Sequence, residues 1–419
     1  MGSTPSIRLR VLLGISLSLL LIGSAHLGEV AGKPAGQMTW AIHFTIAPTY
    51  FEPAETTGIT SFLFLYALHD ALVKSMPGNP QAPSLAESWR ESEDGLTYEF
   101  KLRHGVTFHN GDPLTAQDVK FSLERYRGHS GKLFQEKIRQ VEIVDPHLVR
   151  IHLKEPWPDF MTFYGTPSTS AGWIVPKKYL EQVGDDGFKK HPIGAGPYKF
   201  VSQKPGIELV LEAYEGYWRK VPHIQRLVMR SIPDDSTRLA MLKTGEADIA
   251  YAMMGAMAEE VKRDPKLKLV YSYGQGIFFI FINEQGDPKS PWHDLRVRQA
   301  LNYAIDRQAL SDQQTLGASP PMANIVPPAF EFALPLEPYP YNPEKAKQLL
   351  KEAGYPNGFD AGDISSGPPY HTLAEGVGNY LQAIGIRVKN RPMERAAHLT
   401  ALKEKKLRGL SSSGSGTLG

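Results

Sequence analysis

The chain has 419 residues, 42% hydrophobic and 10% aromatic, enough for two or three subdomains with their own cores and too apolar for a disordered chain. Lys plus Arg number 46 against 44 Asp plus Glu, so there is no large electrostatic footprint for nucleic acid. Cysteine is absent, which excludes disulfides, thiolate metal sites, cysteine nucleophiles and a lipid-bearing cysteine.

Arg8 and Arg10 precede an uncharged apolar run over residues 11–23, followed by small residues. This layout predicts a cleavable secretory signal peptide over residues 1–32, because the run is shorter than the roughly 20 residues of a membrane span. Cleavage after Ala25, Ala31 or Gly32 is compatible with it. The mature chain is then expected to be a free periplasmic protein rather than a lipoprotein. Residues 38–45 read as a first strand, and residues 46–54 as a Pro-punctuated loop. Residues 61–74 form an apolar helical run. His69 within it reads as a helix residue, since no partner with metal-ligand spacing accompanies it.

Residues 84–125 carry the most ordered local grammar. Asp94-Gly95 supplies a tight turn, after which Tyr98, Phe100 and Leu102 alternate with Thr97, Glu99 and Lys101 in the period of a half-buried strand. Arg103–Gly105 and His109–Asp112 turn the chain again. Thr115 and Asp118 have capping-box spacing ahead of a helix bearing Val119, Phe121 and Leu123. His104 and His109 lie in turns without a third ligand, which favours structural roles. Residues 141–153 read as a second hairpin, with Val149, Ile151 and Leu153 alternating.

Residues 156–184 are rich in aromatics, Pro and small hydroxyl side chains, a make-up that suits either a ligand wall or plain packing. Gly194-Ala195-Gly196-Pro197-Tyr198 is a Gly-rich turn into a strand, without the spacing of a phosphate loop. Asp234, Asp235 or Ser236 can cap a helix that ends at Thr244-Gly245, and residues 246–250 enter a strand. Residues 271–283 read as a strand of the buried type. Asp294 caps a helix whose Val297, Ala300, Leu301, Ala304 and Ile305 share one face. Arg296 and Arg298 flank that stripe as solvated or locally paired side chains. Asn342-Pro343 opens a further helix. Residues 361–366, 370–386 and 385–388 make a strand–helix–strand unit, the grammar of a parallel sheet.

Three of these blocks, 84–125, 192–251 and the LRVRQALNYAIDR run, occur in the order found in family 5 of the extracellular solute-binding proteins, which the chain resembles over roughly residues 38–410. That family contains the oligopeptide, dipeptide and nickel receptors of ABC importers. The resemblance implies an α/β, two-lobe periplasmic-binding-protein fold of type II, with an extra small subdomain in lobe I and mixed sheets flanked by helices. It divides the chain into a signal peptide (1–32), a first lobe I segment (33–58), the small subdomain (59–165), a second lobe I segment (166–272) and lobe II (273–410). Residues 411–419 (SSSGSGTLG) depart from the family pattern. They read as a flexible tail, leaving lobe II and the return to lobe I incomplete and lobe II with an uncovered sheet edge.

The implied function is a periplasmic receptor that captures a peptide or similar small solute between two lobes and hands it to membrane permease subunits. It would act as a monomer, with no catalytic chemistry, metal or cofactor. Nickel chelates, haem, opines and oligosaccharides are alternative ligands on the same fold, and a secreted hydrolase is the rival class, although no GxSxG or HExxH spacing occurs. Candidate ligand contacts are Tyr50, Phe51 and Glu52 in the first loop, with packed aromatics and a solvated acid as the other reading. Tyr164, Gly165 and Trp173 follow in the aromatic-rich passage. Tyr273 and Asn283 lie on the strand after the crossing into lobe II, and Met322 in a loop resembling a cleft-lining one.

Overall fold

The computed structural model describes residues 33–55, 61–166, 169–271, 276–327 and 333–416. Lobe I is built on five strands: β1 (Ala35–Ile42), β2 (Tyr198–Lys204), β3 (Glu208–Ala213), β4 (Ile224–Ser231) and β5 (Ile249–Ala250). Their order in the sheet is β2-β3-β4-β1-β5. β1 runs parallel to both β4 and β5, whereas β3 is antiparallel to β2 and β4. Helix α1 (Asp235–Thr244) follows β4. As the sequence predicts, Asp234 caps it by accepting from the Thr237 amide at 2.7 Å, and Gly245 ends it at φ 78°, a conformation that costs glycine little.

The small subdomain inserted between β1 and β2 is a four-stranded antiparallel sheet in the order Ala86–Glu91, Thr97–Leu102, Leu148–Leu153, Ile138–Asp145. Tyr98, Phe100 and Leu102 point into its core, in the alternation read from the sequence. The capping box forms as expected: the Thr115 amide donates to Asp118 at 2.9 Å, and the helix Ala116–Glu124 follows.

The apolar run over residues 61–74 departs from expectation. Only Phe62–Leu68 is helical, and short strands Asp70–Ala71 and Val73–Met76 follow. The cause is tertiary. The turn at Gly194–Gly196 presses on this corner so closely that a Cβ at Gly194 would lie 2.0 Å from Leu68 O, and one at Gly196 2.5 Å from Ala67 O. The Gly-rich turn therefore serves backbone approach. His69 is buried and its Nε2 pairs with Phe51 O at 3.0 Å. Next to it, Asp70 is fully buried, and its carboxylate accepts from Lys74 Nζ (2.7 Å), Tyr217 Oη (2.9 Å), Trp218 Nε1 (2.9 Å) and, more distantly, Ser84 Oγ (3.4 Å).

Lobe II carries β6 (Gly276–Ile282), β7 (Phe359–Ser366), β8 (Ile386–Pro392) and β9 (Leu410–Gly416), in the order β6-β9-β7-β8. β7 is parallel to β8 and β9, and β6 is antiparallel to β9. Helix α2 (His371–Ala383) connects β7 to β8, the predicted strand–helix–strand unit, and α3 (Arg395–Lys403) follows β8. Two expectations are corrected here. The Ser/Gly stretch read as a flexible tail is strand through Gly416, paired with β6 on one side and β7 on the other; residues 417–419 lie outside the described residues. Composition favours coil only for a segment without neighbours, and two flanking strands overrule it. The strand expected to be of the buried type is instead at the sheet edge: Phe278 and Phe281 are 45% and 40% exposed, while Ile280 and Ile282 pack on the lobe II core. Among the described residues no helix is long and apolar enough to cross a membrane.

Breaking the Asp70 hub leaves a buried ammonium without its carboxylate. Asp70→Asn should therefore lower the unfolding free energy by about 3 kcal/mol, read as a reduced denaturation midpoint. An unchanged midpoint would refute the assignment.

Candidate functional site

Parallel strands deliver their carboxyl ends, and the loops that follow them, to one edge of a sheet, where α/β proteins place their ligands. In this chain two such edges meet. From lobe I, β1 runs into His43, Phe44 and Thr45, β4 into Ile232 and Pro233, and β5 into Tyr251 and Ala252. From lobe II, β7 runs into Gly367, Pro368 and Pro369 ahead of α2, and β8 into Met393 and Glu394 ahead of α3. Between them lies a cavity of about 300 Å³ lined by Thr45 and Pro233 on one side and by Pro368, His371, Pro392, Met393, Glu394 and Arg395 on the other.

Arg238 of α1 is 2% exposed and ties the lobe I loops together. Its Nη1 donates to Ile232 O and Pro233 O, each at 2.8 Å, and its Nη2 to Ala252 O at 3.0 Å. An aromatic group stands beside it: His43 packs against Tyr251 with centroids 5.2 Å apart, and Trp40 meets Tyr251 edge-on. On the lobe II side Ser366 Oγ lies 2.8 Å from His371 Nδ1, and Arg395 Nη1 donates to Pro368 O at 2.5 Å. Arg395 also crosses the cleft. Its guanidinium sits 5.6 Å from the Phe44 ring centroid, and Ala396 packs against the lobe I core.

Cations from both lobes act on the cleft, with Asp234, Asp235 and Glu394 close to them. Burial, then the charges of Arg395 and Arg238, push His43 down from the ordinary histidine value to about 2. Burial also lowers His371, and burial with Arg395 and His371 lowers His398. The first turns of α1, α2 and α3 face the same region, adding partial positive charge, partly offset by the caps Asp234 and Glu394.

The site residues expected from the sequence fall elsewhere. Tyr50 and Phe51 are buried in the lobe I core, where Tyr50 stacks on Phe64 at 5.8 Å. Glu52 is fully buried rather than solvated, and is bound by Arg125 at 2.7 Å. Tyr164 belongs to the small-subdomain core, Gly165 ends the short helix Phe160–Tyr164, and Trp173 pairs in a short strand against Asp70–Ala71. These side chains are withdrawn from the cleft because aromatics supply the most core area. Asn283 ties the end of β6 to β9: its amide donates to Gly409 O at 2.9 Å, and its Oδ1 accepts from Ser411 Oγ at 3.3 Å. Met322 is half-buried in a lobe II loop and does not line the cavity. Tyr273 lies outside the described residues. The structure thus brings together residues the sequence reading missed. The available signal was the strand–helix–strand unit, whose first carboxyl end is Gly367-Pro368-Pro369.

Residues 81–416 match the model of the bacterial extracellular solute-binding proteins, family 5. The glutathione-binding protein GsiB of Salmonella choleraesuis is 36% identical over 320 residues, covering 74% of this chain and 60% of the relative. The heme-binding protein A of Haemophilus influenzae is 32% identical over 389 residues, covering 84% and 70%. The structure is similar to the periplasmic binding protein DppA of Helicobacter pylori in complex with the peptide STSA, with a TM-score of 0.79 and 27% identity over 91% of this chain and 78% of that one. The chain thus spans about 60% of the length of GsiB.

Because His43 stays neutral in the fold while an unfolded histidine takes up a proton below pH about 6.5, its contribution is pH-dependent. It costs nothing above that pH and lowers stability progressively as pH falls from 6.5 towards about 2, by up to about 1.4 kcal/mol per pH unit. His43→Asn should flatten the fall of melting temperature between pH 6.5 and 4 relative to wild type; parallel profiles would refute it.

Proposed function

The chain belongs to family 5 of the bacterial extracellular solute-binding proteins, and on that premise we propose that it is the substrate-binding receptor of an ABC importer. It would capture a peptide or a similar small solute between its lobes and present the closed form to a membrane permease. The observation that carries this reading is the cavity lined by the carboxyl ends of parallel strands from both lobes. A ligand there touches both lobes at once, so its binding energy can favour the closed arrangement over the open one. Arg395 against Phe44 and Ala396 against the lobe I core are contacts of that closed arrangement.

No covalent chemistry is required. Three prolines and a methionine make up half of the cavity lining, and the polar groups of the other half suit holding a solute more than activating one. The run after Arg8 and Arg10 fits export through a cleavable signal, and the absence of cysteine fits a free periplasmic protein rather than a lipid-anchored one. Peptide is the preferred ligand; the glutathione named for one relative is itself a small peptide.

The test is thermal melting of the chain from Lys33 with and without a pooled di- to pentapeptide library. A ligand at about 100 times its dissociation constant adds about 2.7 kcal/mol to the folded state, so a peptide pool should raise the melting temperature by several degrees. A sharp transition that no peptide moves removes peptide as the ligand class. If metal chelates, haem and sugars also leave it unmoved, the receptor reading fails.

A further inference from the structure

We propose that β6 is the contact surface for a second copy of this chain: two β6 strands pair antiparallel about a two-fold axis and join the lobe II sheets of both copies into one. The inference is independent of the receptor reading, because β6 contributes no residue to the cavity lining. It replaces the monomer that the family resemblance implies.

The backbone is the first argument. β6 is an outer strand of its sheet, with β9 on one side. The Asn283 amide donates to Gly409 O at 2.9 Å, in register with the ladder from Gly276↔Gly416 to Ile282↔Leu410. Along an antiparallel ladder, residues bonded to the neighbour alternate with residues whose amide and carbonyl point away from it. Ile277, Phe279 and Phe281 therefore bond to β9, whereas Phe278 and Ile280 direct both backbone groups to the open side. Among the described residues those groups have no partner. Ile282 faces the same way, and its carbonyl accepts from the Gln285 amide at 3.4 Å.

The second argument is the lack of protection. Outer strands are ordinarily blunted by charge, by proline or by shortness. The opposite edge of this sheet, β8, carries exposed Arg387, Lys389, Arg391 and Pro392. In lobe I the outer strand β2 carries Lys199 and Lys204, and β5 is two residues long. β6 reads GIFFIFI, with no charge and no proline, and the rings of Phe278 and Phe281 are exposed. An edge left open in this way is suited to pairing.

The third argument is the fit of β6 to itself. A two-fold axis at Phe279 makes Phe278 of one copy exchange two hydrogen bonds with Ile280 of the other, and the reverse. On the helix-covered face Phe278 then meets Ile280; on the other face Phe279 meets Phe279, and Ile277 meets Phe281. Every cross-strand pair is apolar. The flanks agree with this direction. Lys266 and Lys268 with Asp264 precede the strand, and Glu284 and Asp287 with Lys289 follow it. Antiparallel pairing sets the basic flank of each copy against the acidic flank of the other, whereas parallel pairing would set like against like. The joined sheet ends in two charged β8 edges, so assembly closes at two copies. A seven-residue strand is a small interface, which suits a reversible, concentration-dependent dimer.

The experiment is sedimentation equilibrium of the chain from Lys33 over a range of concentrations. Wild type should pass from monomer to dimer. Phe278→Pro removes an amide that points away from β9 and so spares the ladder, and Phe278→Lys places charge at the contact. Each, first shown to melt cooperatively, should weaken the dimer at least about tenfold. Because the chain has no cysteine, a single introduced thiol can form a disulfide only between copies. Phe279→Cys places two thiols at a pair whose Cα atoms are about 4.5 Å apart, within the roughly 4.4–6.8 Å that a disulfide spans. Mild oxidation should link Phe279→Cys into a covalent dimer and leave Lys389→Cys, on the opposite edge, monomeric. A wild type that stays monomeric up to about 100 μM overturns the proposal. A dimer that both Phe278 variants leave intact also overturns it, as does equal cross-linking of the two cysteine variants or growth beyond two copies. If neither Phe278 variant folds, the cysteine comparison decides.

Discussion

Lobe I holds its shape around a carboxylate that never meets water. Asp70 is buried where a helix end, the small subdomain and the Gly-rich turn converge, and it draws donors from Lys74, Tyr217 and Trp218, residues of two separate chain segments. A buried charge is tolerable only when its hydrogen bonds are complete, so the corner can adopt just the geometry that completes them. That geometry requires the backbone approach that Gly194 and Gly196 permit, and it sets where strand β2 begins. A second buried acid, Glu52, repeats the device on the other side: Arg125 reaches it from the small subdomain and also binds Asp185 at 2.7 Å. The inserted subdomain is thus tied by charge to the first loop after β1.

The cleft itself is assembled from parts that are individually ordinary. Parallel strands end, proline-containing loops turn, and helices begin. What gives the region its character is that both lobes bring cationic groups to it: Arg238 from lobe I and Arg395 from lobe II. The acids Asp234, Asp235 and Glu394 stand near these cations, and the ring of Phe44 gives Arg395 a defined place to rest.

Local rules made much of the fold legible. The Asp94-Gly95 turn, the capping box of Thr115 and Asp118, the Asp234 cap and the Gly245 stop all act within a few residues, and the structure contains each of them. The strand–helix–strand unit around α2 was readable for the same reason. What depended on distant neighbours was not. Residues 61–74 look helical alone, yet Asp70 leaves the helix because its partners wait elsewhere in the chain. Residues 411–416 look like linker alone, yet two strands bracket them. The candidate site was the least legible, since aromatic-rich loops suit a ligand wall and a core equally well, and Tyr50, Tyr164 and Trp173 went to cores. No local pattern could announce that Thr45 and Arg395, near opposite ends of the chain, share a wall.

The Ser-rich β9 has a consequence for how the molecule comes apart. It lies inside the lobe II sheet, and Ser411, Ser412 and Ser413 are buried there in place of branched apolar side chains. Hydroxyls such as that of Ser412, which reaches Tyr370 O at 3.4 Å, satisfy polarity but return little hydrophobic free energy. The serine stretch of β9 is accordingly held by backbone pairing more than by packing, while Leu410 and the neighbouring Phe359, Ala361 and Ile364 of β7 join the lobe II core. In lobe I the corresponding inner strands contribute Leu209, Leu211, Leu227 and Met229 to the core. On this ground lobe II is expected to open first around β9, with the amide hydrogens of that strand exchanging sooner than those of β3 and β4.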